Sequence, residues 1–214
     1  MSLRGLYAIT PDTRDSERLL ELVSGALEAA PSRAWAALQY RNKLADAAQR
    51  AREARALAAL ARRRGVAFIV NDDIRLALEV DADGAHLGRD DGRLEAARRE
   101  LGNRMLGASC YDRLELARAA VAAGADYVAF GSVFPSPTKP TAVRAPLGLF
   151  AAARALAVPL VAIGGITLEN APEAIAAGAD CVAVISDLFD APDVAQRTRA
   201  YARLFDSNPS RAIA

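Results

Sequence analysis

Histidine is nearly missing from this chain: His86 is the only one among 214 residues. One imidazole cannot build a histidine-based metal centre, and it leaves a serine or cysteine triad short of partners. Cysteine is almost as scarce. Cys110 and Cys181 are the two present, far apart and without zinc-type or redox spacing. They read as core residues of a reducing compartment, so the expected location is the cytoplasm. No apolar run is long enough to span a bilayer, and no signal-type apolar region precedes the strand-like Leu6-Tyr7-Ala8-Ile9-Thr10. An excess of charge is lacking as well. Lys plus Arg is 27 against Asp plus Glu 26, a net +1, which argues against nucleic acid or an anionic membrane as partner. There is no low-complexity stretch or linker. One domain is expected over residues 1–205, with 206–214 a polar tail.

What is present is a core-forming composition, 52% hydrophobic and 25% charged. Short apolar runs alternate with Ala, Arg, Leu and Glu-rich stretches of helical period. The runs are Leu6–Thr10, Ala34–Arg41, Ala67–Asp72, Gly84–Gly88, Met105–Cys110, Tyr127–Gly131, Leu160–Gly164 and Cys181–Ser186. In the stretch Arg50 to Arg64, arginines thread among Ala51, Ala54, Leu57, Ala58 and Ala61, the pattern of a solvated helix face. A weak repeat marks the units. Ala123-Gly124-Ala125-Asp126 leads into Tyr127, Ala177-Gly178-Ala179-Asp180 into Cys181, and Asp81-Ala82-Asp83 into Gly84. Eight evenly spaced β-then-α units of about 27 residues each predict a (β/α)8 TIM barrel, in preference to an open doubly wound sheet.

In such a barrel, function belongs at the carboxyl ends of the strands. Gln39, Arg41 and Lys43 alternate at the end of the second run, which would aim an amide, a guanidinium and an ammonium one way and Tyr40 and Asn42 the other. Those donors suit a phosphate or diphosphate. Asn71-Asp72-Asp73 ends the third run, and His86-Leu87-Gly88-Arg89-Asp90-Asp91 the fourth. The carboxylates suit Mg²⁺, although helix capping is the ordinary use of Asp there, and members of each pair can differ. His86 is expected to support the site. Ser109 is expected to bind ligand, since no base motif accompanies it or Cys110. The stretch Ser132 to Pro146 is the longest irregular loop and carries Ser136, Thr138 and Lys139 among prolines. Ile163-Gly164-Gly165-Ile166, with a helix starting near Thr167, and Ile185-Ser186 close the series as a second phosphate site.

These fragments, in this order, resemble the thiamine phosphate synthase (thiamine-phosphate pyrophosphorylase) family from Leu6 to Ser186. The motifs are Gln39-x-Arg41-x-Lys43, Asn71-Asp72, His86-x-Gly88-x-x-Asp91, Gly107-x-Ser109, Thr138-Lys139, Ile163 to Ile166, and Ile185-Ser186. Ser136 stands where the family usually has Thr, Arg89 where Gln is common, and Asn42 where an acidic residue is common. The resemblance implies a transferase of thiamine biosynthesis. It would join 4-amino-5-hydroxymethyl-2-methylpyrimidine diphosphate to 4-methyl-5-(2-phosphoethyl)thiazole, through early C–O cleavage and capture of the pyrimidine cation by the thiazole nitrogen. By the same resemblance, Gln39, Arg41, Lys43, Asn71, Ser109 and Lys139 bind the pyrimidine diphosphate, with Arg41, Lys43 and Lys139 catalytic. Ser136, Thr138, Gly165, Ile185 and Ser186 bind the thiazole phosphate, and Asp72 and Asp91 hold Mg²⁺. The partners are then two phosphorylated small molecules, with homo-oligomerisation left open. The alternatives are a thiazole tautomerase-like paralogue, a non-catalytic phosphate-binding barrel, and a phosphosugar isomerase or epimerase barrel, which would want a clear acid/base pair.

Overall fold

Each apolar run forms a strand, and the strands close on one another. The structure is a computed structural model that describes residues 3–88, 92–135 and 143–206. Its strands are β1 (Gly5–Ile9), β2 (Trp35–Tyr40), β3 (Phe68–Asn71), β4 (Gly84–Leu87), β5 (Met105–Tyr111), β6 (Tyr127–Phe130), β7 (Leu160–Ile163) and β8 (Cys181–Val184). They pair in sequence order, all parallel, and β1 pairs with β8 to complete a closed barrel. Between and after them lie α1 (Ser16–Ala29), α2 (Ala47–Arg64), α3 (Ile74–Glu79), α4 (Leu94–Leu101), α5 (Leu114–Ala122), α6 (Gly148–Ala153), α7 (Ala171–Ala177), α8 (Ser186–Phe189) and α9 (Val194–Asp206). The expected (β/α)8 barrel is therefore the fold, and the open sheet is excluded. Among the described residues no helix is long and apolar enough to cross a membrane.

Side chains alternate along each strand, which gives the molecule two apolar layers. Tyr7, Ile9, Ala37, Ile69, Tyr127, Ala129, Val161 and Ala183 face inward and fill the barrel. Leu6, Leu38, Val70, Leu106, Val128, Leu160 and Val182 face outward, into the buried stripes of the helices. A parallel strand covered on both faces has no polar alternation, and for that reason the strands read as continuous apolar runs. On α2, Ala54, Leu57, Ala58 and Ala61 are buried, while Arg52, Arg55, Arg62, Arg63 and Arg64 are exposed.

The repeated aspartates do a specific job at the amino ends of the strands. Asp83, ahead of β4, donates its N–H to the Phe68 carbonyl at 2.9 Å and accepts the Phe68 N–H on its carboxylate at 2.8 Å. Asp126 treats Leu106 the same way, at 2.8 and 2.7 Å. Asp180 does so with Leu160, at 2.8 and 2.9 Å. Each is a two-point clamp on the preceding strand. The Asp180 carbonyl also accepts the Gly5 N–H at 3.1 Å, so this clamp lies at the seam where β8 meets β1.

Candidate active site

Parallel strands deliver all their carboxyl ends to one rim. Six inward-facing polar residues are hydrogen-bonded to one another across the barrel. Gln39 Nε2 donates to Asn71 Oδ1 at 2.6 Å, linking β2 to β3. The Tyr7 hydroxyl donates to Gln39 Oε1 at 2.7 Å and lies 2.7 Å from the Tyr127 hydroxyl on β6. His86 on β4 has Nδ1 3.2 Å from the Tyr127 hydroxyl and Nε2 2.9 Å from Ser109 Oγ on β5. Gly107 makes room for this arrangement, because a Cβ there would run into the Tyr127 ring and His86 Nδ1. His86 thus lies on β4 between Tyr127 and Ser109. Tyr7 and Tyr127, each 1% exposed, are members that sequence reasoning passed over as parts of apolar runs.

The cationic end of β2 is organised by a residue that the sequence did not single out. Asp12, in the loop after β1, pairs with the Arg41 guanidinium at 2.7 Å and accepts the Lys43 N–H at 2.7 Å. Thr10 Oγ1 accepts from the Arg41 N–H and donates to the Arg41 carbonyl, both at 2.8 Å. Strand β2 has ended at Tyr40, so Lys43 sits in the following bend with an exposed side chain rather than one strand step beyond Arg41. The bends follow from these captures by Asp12 and Thr10. A signal for Asp12 did exist: it follows β1, the strand beside β2.

The other face of this segment is structural. Tyr40 and Asn42 both donate to Glu53 Oε2, at 2.7 and 2.9 Å. Ser16 and Gln49 donate to Oε1, at 2.6 and 2.9 Å. Glu53 is 1% exposed. Burial by itself raises its pKa, but the four donors outweigh it and hold the carboxyl below its ordinary value.

The two aspartates after β3 separate into different roles. Asp73 caps α3, accepting the Leu76 N–H at 2.9 Å, and pairs with Arg50 at 3.1 Å. Asp72 takes a left-handed conformation, φ +63°, and its N–H donates to the His86 carbonyl at 2.8 Å. It borders an open groove with Arg50, Asp73, Arg75 and Glu100. Among the described residues no three His, Cys, Asp or Glu cluster to hold a metal. Mg²⁺ needs only one or two carboxylates when water and phosphate oxygens complete its shell. The hard oxygens of Asp72 fit that demand. Asp91, with Arg89 and Asp90, lies outside the described residues, as do Ser136, Thr138 and Lys139.

On the far side of the rim, Gly164 and Gly165 follow β7 with φ of +95° and +66°. A Cβ on Gly164 would strike Ser132, and one on Gly165 would strike Phe134 and Pro135. The loop after β6 is laid against them: Val133 and Phe134 N–H donate to the Ile163 and Gly164 carbonyls, each at 3.0 Å. Helix α7 begins at Ala171, four residues later than expected. Asn170 holds the intervening turn, accepting the Thr167 N–H and donating to the Gly165 carbonyl, both at 2.9 Å. Ile185 follows β8, the strand beside β7, and Ser186 starts α8. The structure therefore brings Gln39, Asn71 and Ser109 into one hydrogen-bonded assembly with Arg41 and Asp72 adjoining. Gly165, Ile185 and Ser186 stand on a neighbouring pair of strand ends.

Comparison with known proteins gives the family of the chain. A family model described as thiamine monophosphate synthase matches residues 6–188. The chain is 60% identical over 207 residues to a thiamine-phosphate synthase of Aromatoleum aromaticum, covering 96% of this chain and 98% of that one. It is 58% identical over 204 residues to that of Chromobacterium violaceum, covering 95% and 97%. Among solved structures, thiamine phosphate pyrophosphorylase from Pyrococcus furiosus superposes with a TM-score of 0.84 at 36% identity, over 96% of this chain and 97% of that one. A 3-hexulose-6-phosphate synthase superposes with a TM-score of 0.68 at 18% identity, over 92% and 98%, a likeness of fold alone.

Proposed function

The chain belongs to the thiamine monophosphate synthase family, and from that premise we propose that it makes thiamine phosphate. The substrates are 4-amino-5-hydroxymethyl-2-methylpyrimidine diphosphate and 4-methyl-5-(2-phosphoethyl)thiazole. The C–O bond to the diphosphate breaks, its electron pair leaving with the diphosphate. The thiazole nitrogen then supplies the pair for the new C–N bond. The observation that carries this reading is the joining of Gln39 and Asn71 at the ends of β2 and β3, with Arg41 and Asp72 next to them.

Such a reaction asks the protein for charge stabilisation and positioning more than for a base. Arg41, Lys43 and Lys139 would balance charge building on the diphosphate, and Gln39, Asn71 and Ser109 would fix the pyrimidine diphosphate beside them. Ser136, Thr138, Gly165, Ile185 and Ser186 would hold the thiazole phosphate. Asp72 and Asp91 are the residues that would hold Mg²⁺, whose chemistry when bound is to add positive charge beside the leaving group. Arg41 is not a bare cation, since Asp12 already pairs with it. Its guanidinium is thereby fixed in direction, and its remaining N–H groups can serve an incoming anion.

Incubation of the protein with both substrates and Mg²⁺ should release diphosphate and thiamine phosphate in equal amounts. Folded protein that binds the thiazole phosphate without releasing diphosphate would overturn the proposal in favour of a binding barrel or tautomerase-like relative.

A further inference from the structure

Six side chains on six strands form one continuous hydrogen-bonded path: Asn71, Gln39, Tyr7, Tyr127, His86 and Ser109. Such a path has a direction, because each hydroxyl has one proton to donate. Gln39 sets it, with Nε2 donating to Asn71 and Oε1 accepting from Tyr7. Burial pushes the phenols of Tyr7 and Tyr127 above their ordinary range, so both keep their protons. The Tyr7 proton is committed to Gln39, and the Tyr7 oxygen must therefore accept from Tyr127. The Tyr127 oxygen in turn accepts from His86 Nδ1–H. A neutral imidazole protonated at Nδ1 has a bare Nε2, which accepts the Ser109 proton.

We propose that Tyr7, Tyr127 and His86 are positioning residues that form a one-way hydrogen-bond relay, holding His86 as its Nδ1–H tautomer and orienting the Gln39 and Asn71 amides. The proposal rests on the reading that Gln39, Asn71 and Ser109 bind substrate. In this polarity Asn71 keeps its Nδ2 donors for other partners, while Ser109 commits its proton to His86. Only one other polarity satisfies every member, and in it all six reverse together: both amides turn over, and His86 carries its proton on Nε2. The relay therefore ties the state of Ser109, at one end, to the donor pattern of Asn71, at the other.

The single histidine makes the test direct. In protein labelled with ¹⁵N-histidine and free of substrate, in mildly alkaline buffer, one imidazole gives both nitrogen signals. The relay requires a protonated Nδ1 and a bare Nε2. An Nε2–H tautomer, an even mixture, or protons on both nitrogens would overturn it. Tyr7→Phe then asks whether the coupling is transmitted. Tyr127 loses its acceptor, turns its proton to His86 Nδ1, and the imidazole must move its own proton to Nε2, so the two signals exchange character. A Tyr7→Phe spectrum like that of the wild type would refute the relay, and the wild-type spectrum decides the matter alone if the variant does not fold. For turnover, Tyr7→Phe should lower kcat/KM for the pyrimidine diphosphate about three- to tenfold, the worth of one neutral hydrogen bond. An unchanged value would remove the positioning role. A protein with the required tautomer but no synthase activity would sink the proposed function and leave the relay standing.

Discussion

Asp12 touches the end of β2 twice, once through the Arg41 guanidinium and once through the Lys43 N–H. A carboxylate beside the proposed diphosphate site looks unhelpful by charge alone. Its value is direction: a charge-assisted hydrogen bond removes freedom from the guanidinium before substrate arrives. Asp12→Ala should therefore lower kcat/KM for the pyrimidine diphosphate by about tenfold, or ~1.4 kcal/mol, despite removing a negative charge. Asp12→Asn keeps an acceptor for Lys43 and should lose less. Steady-state kinetics check the order, and equal losses would discard the bend-anchoring half of the account. Asp72 makes a different demand. Asp72→Asn keeps the size and the left-handed backbone tolerance but loses the charge. The Mg²⁺ concentration for half-maximal rate should then rise by about tenfold or more, and an unchanged metal titration would take Asp72 out of the metal site.

Among elements, two kinds of carboxylate tie the pieces together: the clamp aspartates, of which Asp83 and Asp126 are exposed and Asp180 half-buried, and the buried Glu53. The clamp aspartates join strands at their amino ends, and Asp180 also receives Arg154 through both oxygens, at 3.0 to 3.2 Å. Asp180→Ala would leave the Leu160 N–H without its side-chain acceptor and Arg154 without its partner, a loss of about 1–3 kcal/mol. The melting temperature should fall by about 2–4 °C for each kcal/mol lost. Glu53 ties α2 to α1 and to the Tyr40-Asn42 segment. Its folded pKa is depressed, so its contribution is present in full above its unfolded value, about 4.5, and is lost as pH falls through the lower folded value. Glu53→Gln should be less stable than the wild type at neutral pH, with the gap narrowing as both are titrated below that range. Denaturant melts across pH measure it, and a gap constant with pH would mean that the charge of Glu53 is not what its donors stabilise.

At the scale of the molecule, closure through β1 and β8 joins the strands into one sheet. The lone tryptophan, Trp35 on β2, reports the barrel, while far-ultraviolet circular dichroism is dominated by the helices. Their denaturant midpoints should coincide, as for one cooperative domain; separated midpoints would divide the chain. Much of this architecture was legible beforehand. Strands buried on both faces announce themselves as apolar runs, and their ends were placed to within a residue or two. Gln39, Asn71 and Ser109 were legible because polar residues stand out where such runs stop. The clamps were visible only as a repeat, since Asp180 acts on Leu160 through a strand pairing that sequence spacing does not reveal. Tyr7 and Tyr127 were hidden inside apolar runs and meet across 120 positions of chain. Asp12 was hidden in a loop, 29 residues from the arginine that it orients.

The clamp at Asp83 has a reach beyond its own end of the barrel. Phe68, which it grips, and Asn71, which meets Gln39, are the first and last residues of the same short strand, about 10 Å apart. Register in a sheet is all or nothing: sliding β3 by one residue against β4 would send Asn71 toward the helices and turn Val70 into the mouth. The floor of the barrel therefore levels its rim. An aspartate at the floor decides that Asn71, and not Val70, faces the mouth.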